Sequence, residues 1–341
     1  MPIAKPHEIV GPPRFNDDAE LRRRLSGKRV LVAGADGFLG TNAVRGLEAM
    51  GARTTIVSRR DNPDNPFARE RLVRGDLMDY EVAERAVAEQ DIVLDLLGYP
   101  ALSPMSPAPQ KELDREFVPH MNLFTASARA ATHPLVMMCS TRLVYGAPDY
   151  LPVDEKHTVR ARSYYAAHKV LLEQYLQVLR QTEGLNWIVF RLSSPYGPFA
   201  PQRRGSYGVL NMFMQMSLRG ETIKIFGDGA QERDYIYVDD VIHAFLWSVA
   251  EPRCANEIFN FGGDRSISLR EAANTVASIG GRSKVEHVPW PDAEKSMETG
   301  TYRSDTSRIR SLVPIRTPLD FHEGARLTME YLSKTMPEPG S

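Results

Sequence analysis

Seven residues, Gly34-Ala35-Asp36-Gly37-Phe38-Leu39-Gly40, constrain this 341-residue chain more than any other feature. They follow an apolar run at 28–33 (KRVLVA) that reads as a buried strand, and they lead straight into a helix-like segment. Gly34 permits a tight turn, Gly37 lets the backbone approach an anion, and Gly40 lets the helix pack on the strand. The free N–H groups at the start of such a helix, together with its dipole, hold negative charge. The spacing is GxxGxxG, and its place between strand and helix marks a turn that cradles a dinucleotide pyrophosphate. Asp36, Phe38 and Leu39 of the same turn join the three glycines as candidate cofactor-binding residues.

The rest of the first half repeats this alternation. Short apolar runs at 54–57, 92–97, 135–139 and 187–191 read as strands, and helix-length segments lie at 82–88 and 122–131. This order predicts an α/β fold, a parallel Rossmann-type sheet doubly wound by right-handed crossovers. The pattern changes after about residue 191, where 194–210 is rich in Pro, Gly and Arg. A helix and a strand at 223–226 follow, and 227–240 (GDGAQERDYIYVDD) reads as a loop running back into ordered structure. The expected division is an arm and short helix over 1–27, the helix capped by Asn16, Asp17 or Asp18. A dinucleotide-binding domain then covers 28–191, with a returning segment near 234–262. A smaller mixed α/β substrate lobe makes up most of 192–341. The methionine-rich run 211–216 reads as core packing, and Asp305-Thr306-Ser307 as the cap of a late helix.

Composition narrows the partners. The formal net charge is -1, so no basic excess exists to neutralise a nucleic acid backbone. Cys139 and Cys254 are far apart and form no CxxC pair, and the 8 histidines show neither HxxxH nor HExxH spacing, so no metal is expected. The N-terminal residues lack the apolar core of a signal peptide, and no apolar run approaches the ~20 residues that span a bilayer. The expectation is a cytoplasmic enzyme without a membrane partner.

The second strand of such a sheet normally ends in a carboxylate that reads the adenosine ribose. Here it ends in Ser58-Arg59-Arg60, and two guanidinium groups suit a 2′-phosphate. The triplet favours NADP, and Asp61 just beyond leaves NAD open. Farther along, Tyr165 and Lys169 stand at i and i+4 of a helix that runs to about Arg180, so both lie on one face. A nearby ammonium favours a phenolate, which can exchange a proton with a sugar hydroxyl. Ser140 and Thr141 end a predicted buried strand, where a hydroxyl can polarise a carbonyl or alkoxide oxygen.

Taken in order, GADGFLG, RGDL (74–77), CSTRLVYG, YYAAHK, RLSSPYGP and GDGAQERDYIYVDD resemble the extended short-chain dehydrogenase/reductases, specifically their nucleotide-sugar epimerase/dehydratase branch. The resemblance runs over about residues 28–335. It implies an NAD(P) cofactor, a nucleoside-diphosphate sugar substrate and a homodimer packed through helices of the first lobe. By the same resemblance Asp76 and Leu77 read the adenine, Thr141 is catalytic beside Tyr165 and Lys169, and Arg233 holds the substrate diphosphate. Leu97 is counted to the cofactor site, and Ser194 and Asn211 to the substrate site. Departures accompany the match. Arg142 and Leu143 stand where similar 4,6-dehydratases carry an acidic pair, so loss of water at C6 lacks its acid and base. Ser194 replaces the Asn found before the diphosphate site, Glu116 takes the place of an Asn in the preceding helix region, and His168 replaces Ser or Thr beside Lys169.

These readings converge on oxidoreduction at C4 of a nucleoside-diphosphate hexose, with a 4-epimerase ahead of an NADPH-dependent 4-keto-sugar reductase. The rival from another class is a non-catalytic dinucleotide-binding regulator on the same fold.

Overall fold

A computed structural model describes residues 9–60, 65–67, 69–98, 109–200, 208–292, 295 and 298–336. Asp61 lies outside them. Strands follow in the order β1 Arg29–Ala33, β2 Arg53–Ser58, β3 Arg71–Arg74, β4 Ile92–Asp95, β5 Leu135–Thr141, β6 Trp187–Leu192 and β7 Ser194–Tyr196. After them come β8 Ile223–Phe226, β9 Glu232–Arg233, β10 Tyr235–Tyr237, β11 Glu257–Phe261, β12 Ile267–Ser268 and β13 Val285–Val288. Seven of these form one sheet, β11-β6-β5-β4-β1-β2-β3, and every pairing in it is parallel.

Parallel pairing needs helical crossovers, and these cover both faces, so successive residues of a strand enter different cores. Val30 and Val32 of β1 join one apolar cluster with Phe38, Val44 and Leu47 of the helix Phe38–Ala49 and Ile242 and Leu246 of the helix Val238–Ala250. Leu31 and Ala33 face the other cluster, with Ala83 of the helix Tyr80–Val87, Phe124 of the helix Pro109–Arg129 and Leu172 of the helix Tyr164–Glu183. The chain winds outward from β1 through β2 and β3, then returns to build β4, β5, β6 and β11 on the other side. The crevice at the carboxyl ends of β1 and β4 is therefore the switch point where such sheets bind ligands.

Three two-stranded pieces, β7-β10, β8-β13 and β9-β12, and a third apolar cluster make up most of the smaller part. In that cluster Phe213 and Met214 of the helix Val209–Leu218 meet Ile223, Ala272 and Met329. Among the described residues, no helix is long and apolar enough to cross a membrane.

Several local expectations change. The 122–131 helix extends back to Pro109 and carries Pro119 inside it, because tertiary packing overrides the proline signal that hid its first half. Strand β3 was not anticipated: only Val73 of its four residues is buried, so the apolar pattern is too thin to show. The loop at 227–240 runs back into ordered structure within its own length, carrying β9, β10 and the start of the helix Val238–Ala250. Met212 of the methionine run is exposed. The arm is tied down from residue 9 onward. Ile9 and Val10 pack on the third cluster, Arg14 pairs with Asp240 at 2.6 Å, and Phe15 is buried against the His243 ring at 5.1 Å. Its partners lie more than two hundred residues away, beyond the reach of any local pattern. Asp18 is the N-cap of the short helix Ala19–Leu25.

Candidate active site

The glycine turn sits at the switch point. Gly34 has φ +81°, and a Cβ there would stand 2.6 Å from the Leu96 carbonyl oxygen. A Cβ on Gly40 would stand 2.0 Å from the Gly34 carbonyl oxygen, so only glycine permits this approach of helix to strand. Gly37 caps the helix Phe38–Ala49 with no side-chain hydrogen bond. The helix start is thus a bare backbone cradle of the kind that fits a dinucleotide pyrophosphate.

Beside the cradle, the end of β2 is less purely basic than its sequence. Ser58 Oγ donates to Asp36 Oδ2 at 2.9 Å, which brings a carboxylate from the glycine turn to the ribose-reading position. The Arg59 guanidinium lies 3.7 Å from Asp76 Oδ2, with both side chains largely in solvent. Leu77 is buried, and its carbonyl accepts from Asn122 Nδ2 at 2.9 Å. Arg59, Asp76 and Leu77 thus border one edge of the sheet.

The helix Tyr164–Glu183 starts at Ser163, whose side chain accepts from Ala166 N. Tyr165 is half-buried and lines a cleft of about 540 Å³, as do Leu39, Leu97, Thr141, Ser194 and Arg233. Thr141 ends β5 inside this cleft; Ser140 beside it also lines the cleft but commits its hydroxyl to the buried Glu173, donating at 2.6 Å.

One turn below Tyr165, Lys169 is completely buried, its ammonium 5.8 Å from the Tyr165 ring centre. It reaches Glu116 Oε1 at 2.8 Å, the Leu97 carbonyl at 3.2 Å and His120 Nε2 at 3.2 Å. An ammonium only donates, so Nε2 accepts and the His120 proton sits on Nδ1, facing Asp95. The ammonium thus has one ion-pair partner and two hydrogen-bond contacts inside the protein. Burial opposes a charge on Glu116, but the Lys169 ammonium more than reverses this and holds its carboxyl far below the usual range.

The cleft's other wall comes from the smaller part. Arg233 pairs with Glu298 at 2.6 Å and donates to the Glu232 carbonyl at 2.8 Å and to the Gly300 carbonyl. Arg142 lies over the Tyr302 ring at 5.1 Å and donates to Thr299 Oγ1 at 3.3 Å. Asn211 does not line the cleft: it is buried on the helix Val209–Leu218, with Oδ1 unpaired among the described residues. His168 is nearly buried, its ring 6.5 Å from that of Tyr164, and burial lowers its basicity. Sequence reasoning missed Asp95 and His120. Their signals were a carboxylate at a strand end and a histidine one helical turn from Glu116. Thr299, Glu298 and Trp290 had no signal, since no motif marks that stretch.

A sequence model of the NAD dependent epimerase/dehydratase family matches residues 30–262, more than half of the chain. The chain belongs to that family. As a member of the epimerase/dehydratase family it is an NAD-dependent nucleotide-sugar enzyme, and its cofactor is a nicotinamide dinucleotide. It is 29% identical over 318 residues to a UDP-glucose 4-epimerase of Mycolicibacterium smegmatis, covering 89% of this chain and 98% of the relative. The UDP-glucose 4-epimerase of Thermotoga maritima, solved with UDP-glucose, superposes with a TM-score of 0.82 at 26% identity, over 91% of this chain and 100% of that one. The Thermus thermophilus UDP-glucose 4-epimerase, solved in complex with NAD, gives 0.78 at 25% identity over 90% and 100%.

Proposed function

We propose that this enzyme interconverts C4 epimers of a nucleoside-diphosphate hexose. The observation that carries the reading is the meeting of Thr141 and Tyr165 in one cleft with the buried Lys169 directly behind the phenol. The glycine cradle, Leu97, Ser58 to Arg60, Asp76 and Leu77 hold the dinucleotide, which when bound supplies the hydride acceptor and donor. Thr141 holds the C4 oxygen by a hydrogen bond. Tyr165 takes the C4 hydroxyl proton and later returns it, and the Lys169 ammonium favours the phenolate in between. Glu116, His120 and Leu97 keep that ammonium from rotating away. Arg233 and Ser194 receive the diphosphate, Arg233 through the guanidinium N–H groups not spent on Glu298, Glu232 and Gly300. The likeness to UDP-glucose 4-epimerases supports epimerisation over simple reduction. Arg59 and Arg60 support NADP over NAD. The domain division is read as 28–191 with the return at 234–262, and 192–341 as the substrate lobe.

The purified enzyme, incubated with a panel of nucleotide sugars and no added cofactor, is expected to interconvert C4 epimers without lasting absorbance change. Activity confined to a 4-keto sugar plus NADPH assigns a reductase instead. A Tyr165→Phe variant indistinguishable from wild type in every turnover assay, yet still binding cofactor, assigns the non-catalytic regulator.

The homodimer is part of the same reading. Tyr164, Leu171, Tyr175 and Val178 are exposed along one side of the helix Tyr164–Glu183, at spacings of seven, four and three. A second copy covers this stripe. Val178→Glu is expected to shift the mass in solution toward a monomer, and an unchanged mass removes this helix from the interface.

A further inference from the structure

The cleft holds a cation that the proposed chemistry at C4 does not use. Arg142 directly follows Thr141, so it sits at the sugar end of the site. Its guanidinium is fixed by stacking over the buried Tyr302 and by a single hydrogen bond to Thr299. Among the described residues, no carboxylate pairs with it. The contrast with Arg233 on the same wall is sharp, because Arg233 has Glu298 and two carbonyls. Burial and the Arg233 guanidinium both work against the charge on Arg142, drawing it down to about 10, so it stays protonated at neutral pH. A partly buried guanidinium held flat, with most of its donors unspent, suits a planar anion delivered by the ligand.

We propose that Arg142 forms an anion subsite for the sugar, and that the preferred substrate is a nucleoside-diphosphate sugar bearing a carboxylate. This rests on the nucleotide-sugar reading above and deepens it. The carboxylate can stand at C6, as in a hexuronate, or on an ether side arm, and Arg142 supplies the same fork to either. The remaining polar wall, Thr299 and Gln231, offers neutral partners, and Glu298 is already engaged by Arg233.

The test measures binding to the cofactor-loaded wild-type protein by calorimetry, with four nucleotide sugars and UDP alone. UDP-glucuronate is compared with UDP-glucose, and UDP-N-acetylmuramate with UDP-N-acetylglucosamine. The acidic member of one pair is expected to bind about tenfold to a hundredfold more tightly, the range of a charge-assisted hydrogen-bond pair. The pair that shows it tells where the carboxylate stands. In Arg142→Gln that preference is expected to vanish while UDP affinity stays within about twofold. Arg142→Lys, which keeps charge and loses the fork, is expected to keep part of the preference and stands in if the glutamine variant does not fold. Absence of preference in the wild type for both acidic sugars overturns the proposal, as does an equal loss for UDP, which makes Arg142 a diphosphate ligand. Thr141→Val separates the two levels. If it turns over sugars like wild type, the C4 chemistry itself falls. If it is inactive and no acidic preference exists, only the anion subsite falls.

Discussion

Two buried ionic networks hang from the same helix, Tyr164–Glu183, one turn apart. Lys169 belongs to the first and Glu173 to the second. The Glu173 network closes on itself: its carboxylate meets Arg191 at 2.6 Å and Ser140 at 2.6 Å, Arg191 reaches the Tyr145 hydroxyl at 3.0 Å, and that hydroxyl donates to Asn260 at 2.7 Å. These partners come from β5 and the short helical turn that follows it, β6, β11 and the helix, so the network ties together three adjacent strands of the sheet and its cover. The Lys169 network draws on Asp95, Glu116, His120 and Leu97, and its open end lies under Tyr165 at the cleft. Both satisfy their charges. Only one of them faces a place where a ligand can change the balance, and that exposure, not burial or charge count, separates a site from a scaffold.

The comparison breaks most clearly at Tyr165. Tyr165→Phe removes the hydroxyl and leaves both networks whole, so kcat is expected to fall about 10³-fold or more while Tm stays unchanged. A fall in Tm of the size seen for core variants would mean that the phenol is structural. The reverse split is expected at the second network. Glu173→Ala strands the Arg191 guanidinium, at a cost of about 3–5 kcal/mol of stability read from denaturant unfolding, with turnover of the remaining folded enzyme little altered. A selective loss of kcat would place Glu173 in the chemistry.

Glu116→Gln addresses the Lys169 network itself. The Glu116 carboxyl lies below its ordinary value of 4.5 in the folded protein, so its stabilisation is present above 4.5 and is lost as pH falls through the depressed value. The gap in stability between wild type and Glu116→Gln, about 1–3 kcal/mol at neutral pH, is therefore expected to close under acid. A gap constant from pH 7 to 3 would show that the carboxylate does not feel its neighbours. The smallest effect is expected at the ribose-reading edge, where Arg59→Ala weakens NADP about tenfold and NAD hardly at all, measured as the ratio of the two Kd values. Equal losses would mean that Asp36 on Ser58, not the guanidinium, reads that edge.

The parts legible in the sequence were those with short-range signals. The glycine turn, the order of strands and the Tyr165–Lys169 pair each sit within a few residues of their meaning, and the model of the fold follows from them. Asp95 and His120 were less visible because their role exists only once β4 and the helix Pro109–Arg129 lie side by side. Pro119 also concealed the half of that helix that carries Glu116. The turn at Ser58 read as basic because the carboxylate opposite it, Asp36, is twenty-two positions earlier. The charge on Arg142 was evident, and its lack of a partner was not, because that depends on Tyr302 and Thr299 from the far end of the chain.

Strand β11 pairs with β6, and Arg14 and Phe15 rest on the helix Val238–Ala250. During synthesis, then, the residues up to Tyr237 emerge from the ribosome without the strand that pairs with β6 and without the helix on which Arg14 and Phe15 rest. A nascent chain of that length carries a bare row of backbone donors and acceptors along β6, open to mispairing with any neighbour. Release of the segment from Val238 through Phe261 supplies both, so the late-made part of the polypeptide acts as the clasp for what was made earlier.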